Sequence, residues 1–153
     1  MTYLFFSFRK KKVNKNNQTN DKVKNFHRQV RLTKQVADGI ITYSKTWHPN
    51  EGILILQGNS KKSGEISING LVLPPFSSHG PYYSGFPTSE LPLDLSYIGT
   101  VHSHPGNSNR PSLQDLNDFF GLISIIICFP YEYNTIAAYD RNGKSIELII
   151  EGV

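Results

Sequence analysis

The sequence of 153 residues predicts an α/β fold, a mixed central sheet flanked by helices. Three observations predict it. An apolar stripe at helical spacing (residues 33–47) precedes two segments with strand patterning. A second helical stretch leads into "SIIICF" (residues 124–129), a run suited to a central strand buried on both faces. Near the end, "NTIAAYD" and "SIELIIE" flank "RNGK", a strong hairpin turn signal.

The elements follow in order. "HRQVRL" (residues 27–32) reads as a first strand. Thr33 can cap a helix running to Trp47, because its hydroxyl can accept from a free N–H of the first turn. Val36, Ile40, Tyr43 and Trp47 recur every three or four residues and form its buried face. Pro49 disfavours helix at His48 and ends it. "EGILILQG" (residues 51–58) is a buried strand that begins at an acid, and "NSKKSGE" is a turn. In "EISINGLVLPP" the alternation of Ile66 and Ile68, then Leu71 and Leu73, gives a half-buried strand with a bulge expected at Gly70. Residues 74–94 carry prolines, glycines and aromatics and are too long for a mere connector. "LSYIGTVHSH" is the next strand, "GNSNRP" a loop, and "SLQDLNDFFGLI" a helix with Leu113, Leu116, Phe119 and Phe120 inward.

Composition narrows the function classes. The length suits one domain, and 38% hydrophobic residues suffice for one modest core. The longest apolar run, residues 123–129, falls far short of the roughly 18 residues a membrane helix needs. At the start, apolar residues precede the charges, the reverse of a signal peptide, so a cytoplasmic protein is expected. Cys128 is the single cysteine, which excludes an intramolecular disulfide and a cysteine-based zinc cluster; in its apolar run it reads as a buried, inert thiol. The net charge of +4 is unevenly spread: residues 1–34 balance at +9 and residues 35–153 at −5. Residues 1–25 therefore read as a basic, disordered arm, and residues 26–153 as the folded domain. Such an arm is either a solubilising tail or a contact for nucleic acid or another acidic surface.

The stretch "VHSHPGNSNRPSLQD" (residues 101–115) concentrates chemistry. His102 and His104 are two apart on a strand, so both imidazoles face the same way with Cα atoms roughly 7 Å apart. Ser103 faces the other side. Asp115 falls in the first turn of the following helix and can aim back at the pair. Two histidines and an aspartate leave a fourth tetrahedral position for water, the catalytic rather than the structural zinc arrangement. Ser112-x-x-Asp115 also resembles a capping box, and the two roles are compatible.

The joint pattern His-x-His-Pro, six residues, Ser, two residues, Asp resembles the JAMM (MPN+) metalloprotease family. "HPNE" (residues 48–51), "IGTVHSHP" (98–105), "PSLQDLNDFF" (111–120) and the later "FPYEY…AAYDRNGKSIEL" are similar to its compact archaeal-type members. The likeness covers roughly residues 26–150 and implies a cytidine deaminase-like αβα fold. It implies zinc ligands at His102, His104 and Asp115, one zinc per chain with a bound water, a general base at Glu51 and an oxyanion-stabilising hydroxyl at Ser112. It further implies isopeptidase or peptidase action on the C-terminal tail of a ubiquitin-like or sulfur-carrier protein. Gly52 departs from such members, which commonly carry a bulkier apolar residue there.

Other side chains have plainer expectations. His79 is a stray ligand or a solvent-facing residue, and His48 a structural partner at the helix end. Tyr82, Tyr83 and Phe86 either line a groove for an extended peptide or pin their loop to the core. Two rival functions stay open. One is a catalytically silent MPN-fold binding module whose basic arm touches nucleic acid. The other keeps the metal in a nucleic-acid context, because DNA-repair-associated relatives share a similar signature. The sequence does not indicate an oligomeric state.

Overall fold

A computed structural model describes residues 28–153. The basic arm expected over residues 1–25 lies outside the described residues, as does the start of the first strand at His27.

Strand β1 (Gln29–Thr33) alternates, burying Val30 and Leu32. Thr33 then caps helix α1 (Lys34–Trp47), its Oγ1 accepting from the Val36 N–H at 3.2 Å. The buried stripe is Val36, Ala37, Ile40 and Ser44. Ser44 is tolerated there because its hydroxyl donates to the Ile40 carbonyl at 2.8 Å. Tyr43 and Trp47, expected in the same stripe, are only half-buried; Tyr43 packs against the core, and both rings flank Gly52. A Cβ on Gly52 would lie 2.8 Å from the Tyr43 ring and 3.0 Å from Trp47, so the missing side chain leaves room for two aromatics. The departure noted at Gly52 thus has a packing reason.

Strands β2 (Ile53–Ser60) and β3 (Glu65–Val72) pair antiparallel. Gln57 faces Gly70 while Gly58 faces Ile68, so Asn69 is the extra residue of a bulge beside the expected Gly70. Within residues 73–96 the regular strands are a small hairpin, β4 (Ser78–His79) with β5 (Ser84–Gly85). Strand β6 (Tyr97–His104) pairs antiparallel with β2 and parallel with β7 (Ile123–Cys128), every residue of which is buried. Strands β8 (Ile136–Tyr139) and β9 (Ser145–Glu151) form the expected hairpin.

The sheet is mixed, as expected, but it does not end in two edges. Strand β9 pairs parallel with β1, closing the ring β1-β3-β2-β6-β7-β8-β9. Closure removes the free edges on which other chains could add. The expected flanking helices reduce to one long element. Helix α1 packs against β1, β3, β6, β7 and β9 and shares one apolar core with them.

The second helix, expected across residues 112–123, is a correction. Helix α2 spans only Leu113–Asn117, and its C-cap is Asp118. Leu113, expected inward, is 76% exposed. The chain has to turn after this helix to enter β7, and Gly121 makes that turn at φ +78°, where an added Cβ would lie 2.6 Å from the Ile98 carbonyl oxygen. Phe119 remains buried, and Phe120 meets Phe86 edge-on.

Strands β6 and β7 approach closely at Gly99, where an added Cβ would lie 2.0 Å from the Ile123 carbonyl oxygen. We expect Gly99→Ala to destabilise the fold by about 3 kcal/mol through forced separation of these strands. Urea unfolding of the parent and variant measures this, and equal midpoints would contradict the tight approach.

Candidate metal centre and its cleft

Strand alternation on β6 divides its side chains between two faces. Val101 joins the core beneath α1, whereas Thr100 and His102 line a cleft on the opposite face. Ser103 points away from the cleft and does specific work there. Its hydroxyl accepts from the Gly52 N–H at 2.8 Å, and its N–H donates to the Gly52 carbonyl at 2.9 Å. The residue between the two histidines therefore fixes the residue after Glu51.

His102, His104 and Asp115 converge as expected. His102 Nε2 lies 3.2 Å from His104 Nε2 and 3.1 Å from Asp115 Oδ1, and His104 Nε2 lies 3.4 Å from Asp115 Oδ2. Ligands about 2.0–2.1 Å from a tetrahedral zinc stand about 3.3 Å apart; the His102–His104 separation of 3.2 Å matches such an edge, and one ligand atom from each of the three residues lies within 4.8 Å of the others. Orientation agrees with distance. His104 Nδ1 donates to the Ser108 carbonyl at 2.9 Å, which leaves Nε2 as the lone-pair nitrogen. These three are the group among the described residues whose ligand atoms could hold a metal ion together. Cys128 is buried and is not part of that group.

Asp115 reaches the site because of its helix cap. Ser112 Oγ accepts from the Asp115 N–H at 3.2 Å, and the Asp115 carboxylate accepts from the Ser112 N–H through Oδ2 at 2.6 Å. The capping reading of Ser112 and Asp115 is met, and the same cap leaves the Asp115 carboxylate within reach of both histidines.

Electrostatics bind Glu51 to the same cluster. Glu51 is 7% exposed. Burial pushes its carboxyl above the ordinary carboxylate range, while His104 and His102 pull it back and Asp115 adds to the rise. For Asp115 burial also works upward, but the hydrogen bonds from His102 and His104 win and hold it well below the usual range. For His104 burial opposes the charge, yet Asp115 and the Ser108 carbonyl raise it above its usual value.

The cleft beside this cluster has a volume of about 470 Å³. Thr100 and Ser124 line it with hydroxyls, and Tyr82, Tyr83, Phe86 and Phe120 line it with rings. The loop aromatics thus line a groove, one of the two expectations for them. Ser84 also lines it, and its Oγ is buried without a hydrogen-bond partner among the described residues. His48 meets its structural expectation, with Nδ1 3.0 Å from the Tyr131 hydroxyl. His79 does not: it is neither a metal ligand nor solvent-facing, since it stacks on Trp47 and faces the Glu51 carbonyl. Sequence reasoning also missed Ser103, and nothing in a lone serine on a strand marks it as a backbone clamp.

Residues 33–141 match the family of prokaryotic homologs of the JAB domain, Prok-JAB. The chain belongs to the JAB/JAMM family. This JAMM domain is 30% identical over 125 residues to a "probable metalloprotease" of Haloferax volcanii, a match covering 78% of each chain. It is similar to a solved structure described as JAMM, a metalloprotease-like zinc site in the proteasome and signalosome. That match has 29% identity and a TM-score of 0.59, covering 80% of this chain and 97% of the other. It is also similar to a JAB1/MPN domain protein from Archaeoglobus fulgidus, at 34% identity and a TM-score of 0.58, covering 78% and 97%. The JAMM chain is therefore a metalloprotease-like domain with a donor set suited to zinc. No helix among its described residues is long and apolar enough to cross a membrane.

The raised pKa of Glu51 has a sign that can be checked in metal-free protein. Ionising a buried carboxyl opposes folding, and this penalty grows as pH rises past the ordinary value of 4.5. It is complete above the raised folded value. Glu51→Gln should therefore raise the melting temperature of chelator-treated protein at pH 8 and lose that advantage toward pH 4. Thermal melts across this range test it; an advantage that grows on acidification contradicts the assigned burial.

Proposed function

We propose that this chain is a zinc peptidase that hydrolyses the amide bond following the C-terminal tail of a ubiquitin-like or sulfur-carrier protein, acting as an isopeptidase on conjugates. The observation that carries this reading is the spacing of His102 Nε2, His104 Nε2 and the Asp115 carboxylate at 3.1–3.4 Å, with the buried Glu51 charge-coupled to all three. The cleft supports an extended, small-residue tail as the substrate: aromatic walls grip a narrow chain, and Thr100 and Ser124 offer hydroxyls.

In this reading His102, His104 and Asp115 would hold one zinc, whose chemistry when bound would be to lower the pKa of a water toward about 7 and to polarise a carbonyl. Glu51 accepts the proton of the attacking water, and its burial raises its basicity toward that task. It then delivers the proton to the departing amine. Ser112, at the N-cap beside Asp115, offers its hydroxyl to the oxyanion. The silent-module alternative is not favoured, because a scaffold has no use for lone pairs converged at zinc spacing beside a buried acid.

Zinc analysis of protein purified without chelators should give about one ion per chain. Alanine at His102, His104 or Asp115 should abolish stoichiometric binding, and full retention in any of the three would remove that residue from the ligand set. Against a panel of ubiquitin-like fusions, Glu51→Gln should lower the hydrolysis rate by roughly 10²–10⁴-fold with zinc retained. A Gln variant as fast as the parent would falsify the base assignment. Ser112→Ala should lower kcat by about 10²-fold and stability by about 1 kcal/mol through the lost cap. Unchanged kcat with the stability loss intact would leave Ser112 as a cap alone.

A further inference from the structure

Glu51 precedes β2, so no strand ladder holds its peptide groups. Two consecutive residues of the β4–β5 hairpin region hold them instead. The Glu51 N–H donates to the Gly80 carbonyl at 2.7 Å, and the Glu51 carbonyl faces His79 Nδ1 at 2.9 Å. A carbonyl only accepts, so the His79 proton is on Nδ1. Nε2 is then an acceptor, and the Ser77 hydroxyl donates to it at 3.0 Å. The ring face is engaged too, stacked on Trp47 with centroids 3.7 Å apart and planes 19° apart. Trp47 itself abuts Gly52. His79 thus has both nitrogens and one face committed: Nδ1 and the ring face meet the Glu51 carbonyl and Trp47, and Nε2 is held within its own hairpin by Ser77.

We propose that His79 is a positioning residue for the Glu51 base, tying the placement of that carboxylate to the hairpin that lines the cleft. The proposal rests on the peptidase reading. A general base must sit within hydrogen-bonding reach of the proton it removes, and a displacement near 1 Å can lower the rate by about 10²-fold. The Gly80 N–H donates to the Tyr83 carbonyl at 2.8 Å, and Tyr82 and Tyr83 form cleft wall. A peptide pressed against these rings therefore loads the same short hairpin that grips the peptide of Glu51. Occupancy of the cleft and the aim of the base are linked through this hairpin, with the His79 imidazole and the Gly80 carbonyl as its two holds on Glu51.

Two substitutions separate the contacts. His79→Phe keeps an aromatic face for Trp47 and removes the donor to Glu51. His79→Asn loses the ring and places an amide N–H close to the position of Nδ1. The assay uses zinc-loaded protein and the ubiquitin-like fusion that the parent cleaves fastest. We expect His79→Phe to lower kcat by about 10–100-fold with KM and zinc content near those of the parent, and His79→Asn to recover most of the loss. NMR of ¹⁵N-histidine-labelled parent should show His79 as the Nδ1–H tautomer. An Nε2–H tautomer, parental kcat in His79→Phe, a rise in KM alone, or equal losses in the two variants each overturn the proposal. A parent that cleaves none of the fusions overturns the peptidase reading instead, and the tautomer, read on the same protein, still decides whether the hydrogen bond exists.

Discussion

The pairing of β6 with β2 is the constraint on which the site depends. Ile53 stands opposite His102 in that ladder, and Ser103 closes on Gly52 with two hydrogen bonds. Sliding β6 by one residue would exchange its faces, turning His102 and His104 into the core and Val101 into the cleft. The apolar partners of Val101 beneath α1 oppose that slip, so the core enforces the orientation of the histidines. The tight approach at Gly99 and the contacts of Gly121 under Ile98 pin the same strand at its other end. Packing and chemistry are thus two faces of one strand, and neither can shift alone.

Asp115 shows how a structural device can orient a reactive group. A carboxylate has two oxygens, and the cap occupies one side of Oδ2 through the Ser112 N–H. This fixes the plane of the group, leaving Oδ1 toward His102 and the free side of Oδ2 toward His104. The helix behind it is only five residues long and contributes little macrodipole or packing stability. The reciprocal cap therefore supplies most of the local order, and it also sets the Asp115 carboxylate toward the two histidines. Leu113 can be exposed for the same reason: the turn exists to present Asp115, not to bury an apolar face.

What the sequence disclosed follows the range of the interactions involved. The His102–His104 pair was legible because strand alternation is local, and Asp115 because a cap signal is local. The extent of α1 was legible from Thr33 and from the break at Pro49. The closure of the sheet was not, because the pairing of Gln29–Thr33 with Glu147–Glu151 joins segments more than a hundred residues apart. The length of α2 was misread because Leu116, Phe119 and Phe120 keep helical spacing, while the positive φ of Gly121 diverts the chain. Glu51 was singled out by resemblance, since a lone acid at a strand start carries no periodic signal. His79 was misassigned for a related reason: its partners, Trp47 and the Glu51 carbonyl, meet it only through the fold.

The electrostatics of the cluster couple its donors to protons. Hydrogen bonds from the two histidines hold Asp115 well below the usual carboxylate range, and Asp115 with the Ser108 carbonyl raises His104. A metal is held by lone pairs, so affinity at such a site is coupled to proton release and weakens on acidification. Glu51 belongs to the same balance. Its buried negative charge is opposed by desolvation and favoured by positive charge at the two histidines, so a cation in the cluster favours the ionised form a base requires. The acid and the donors are therefore poised against each other by charge as well as by the ladder that joins their strands.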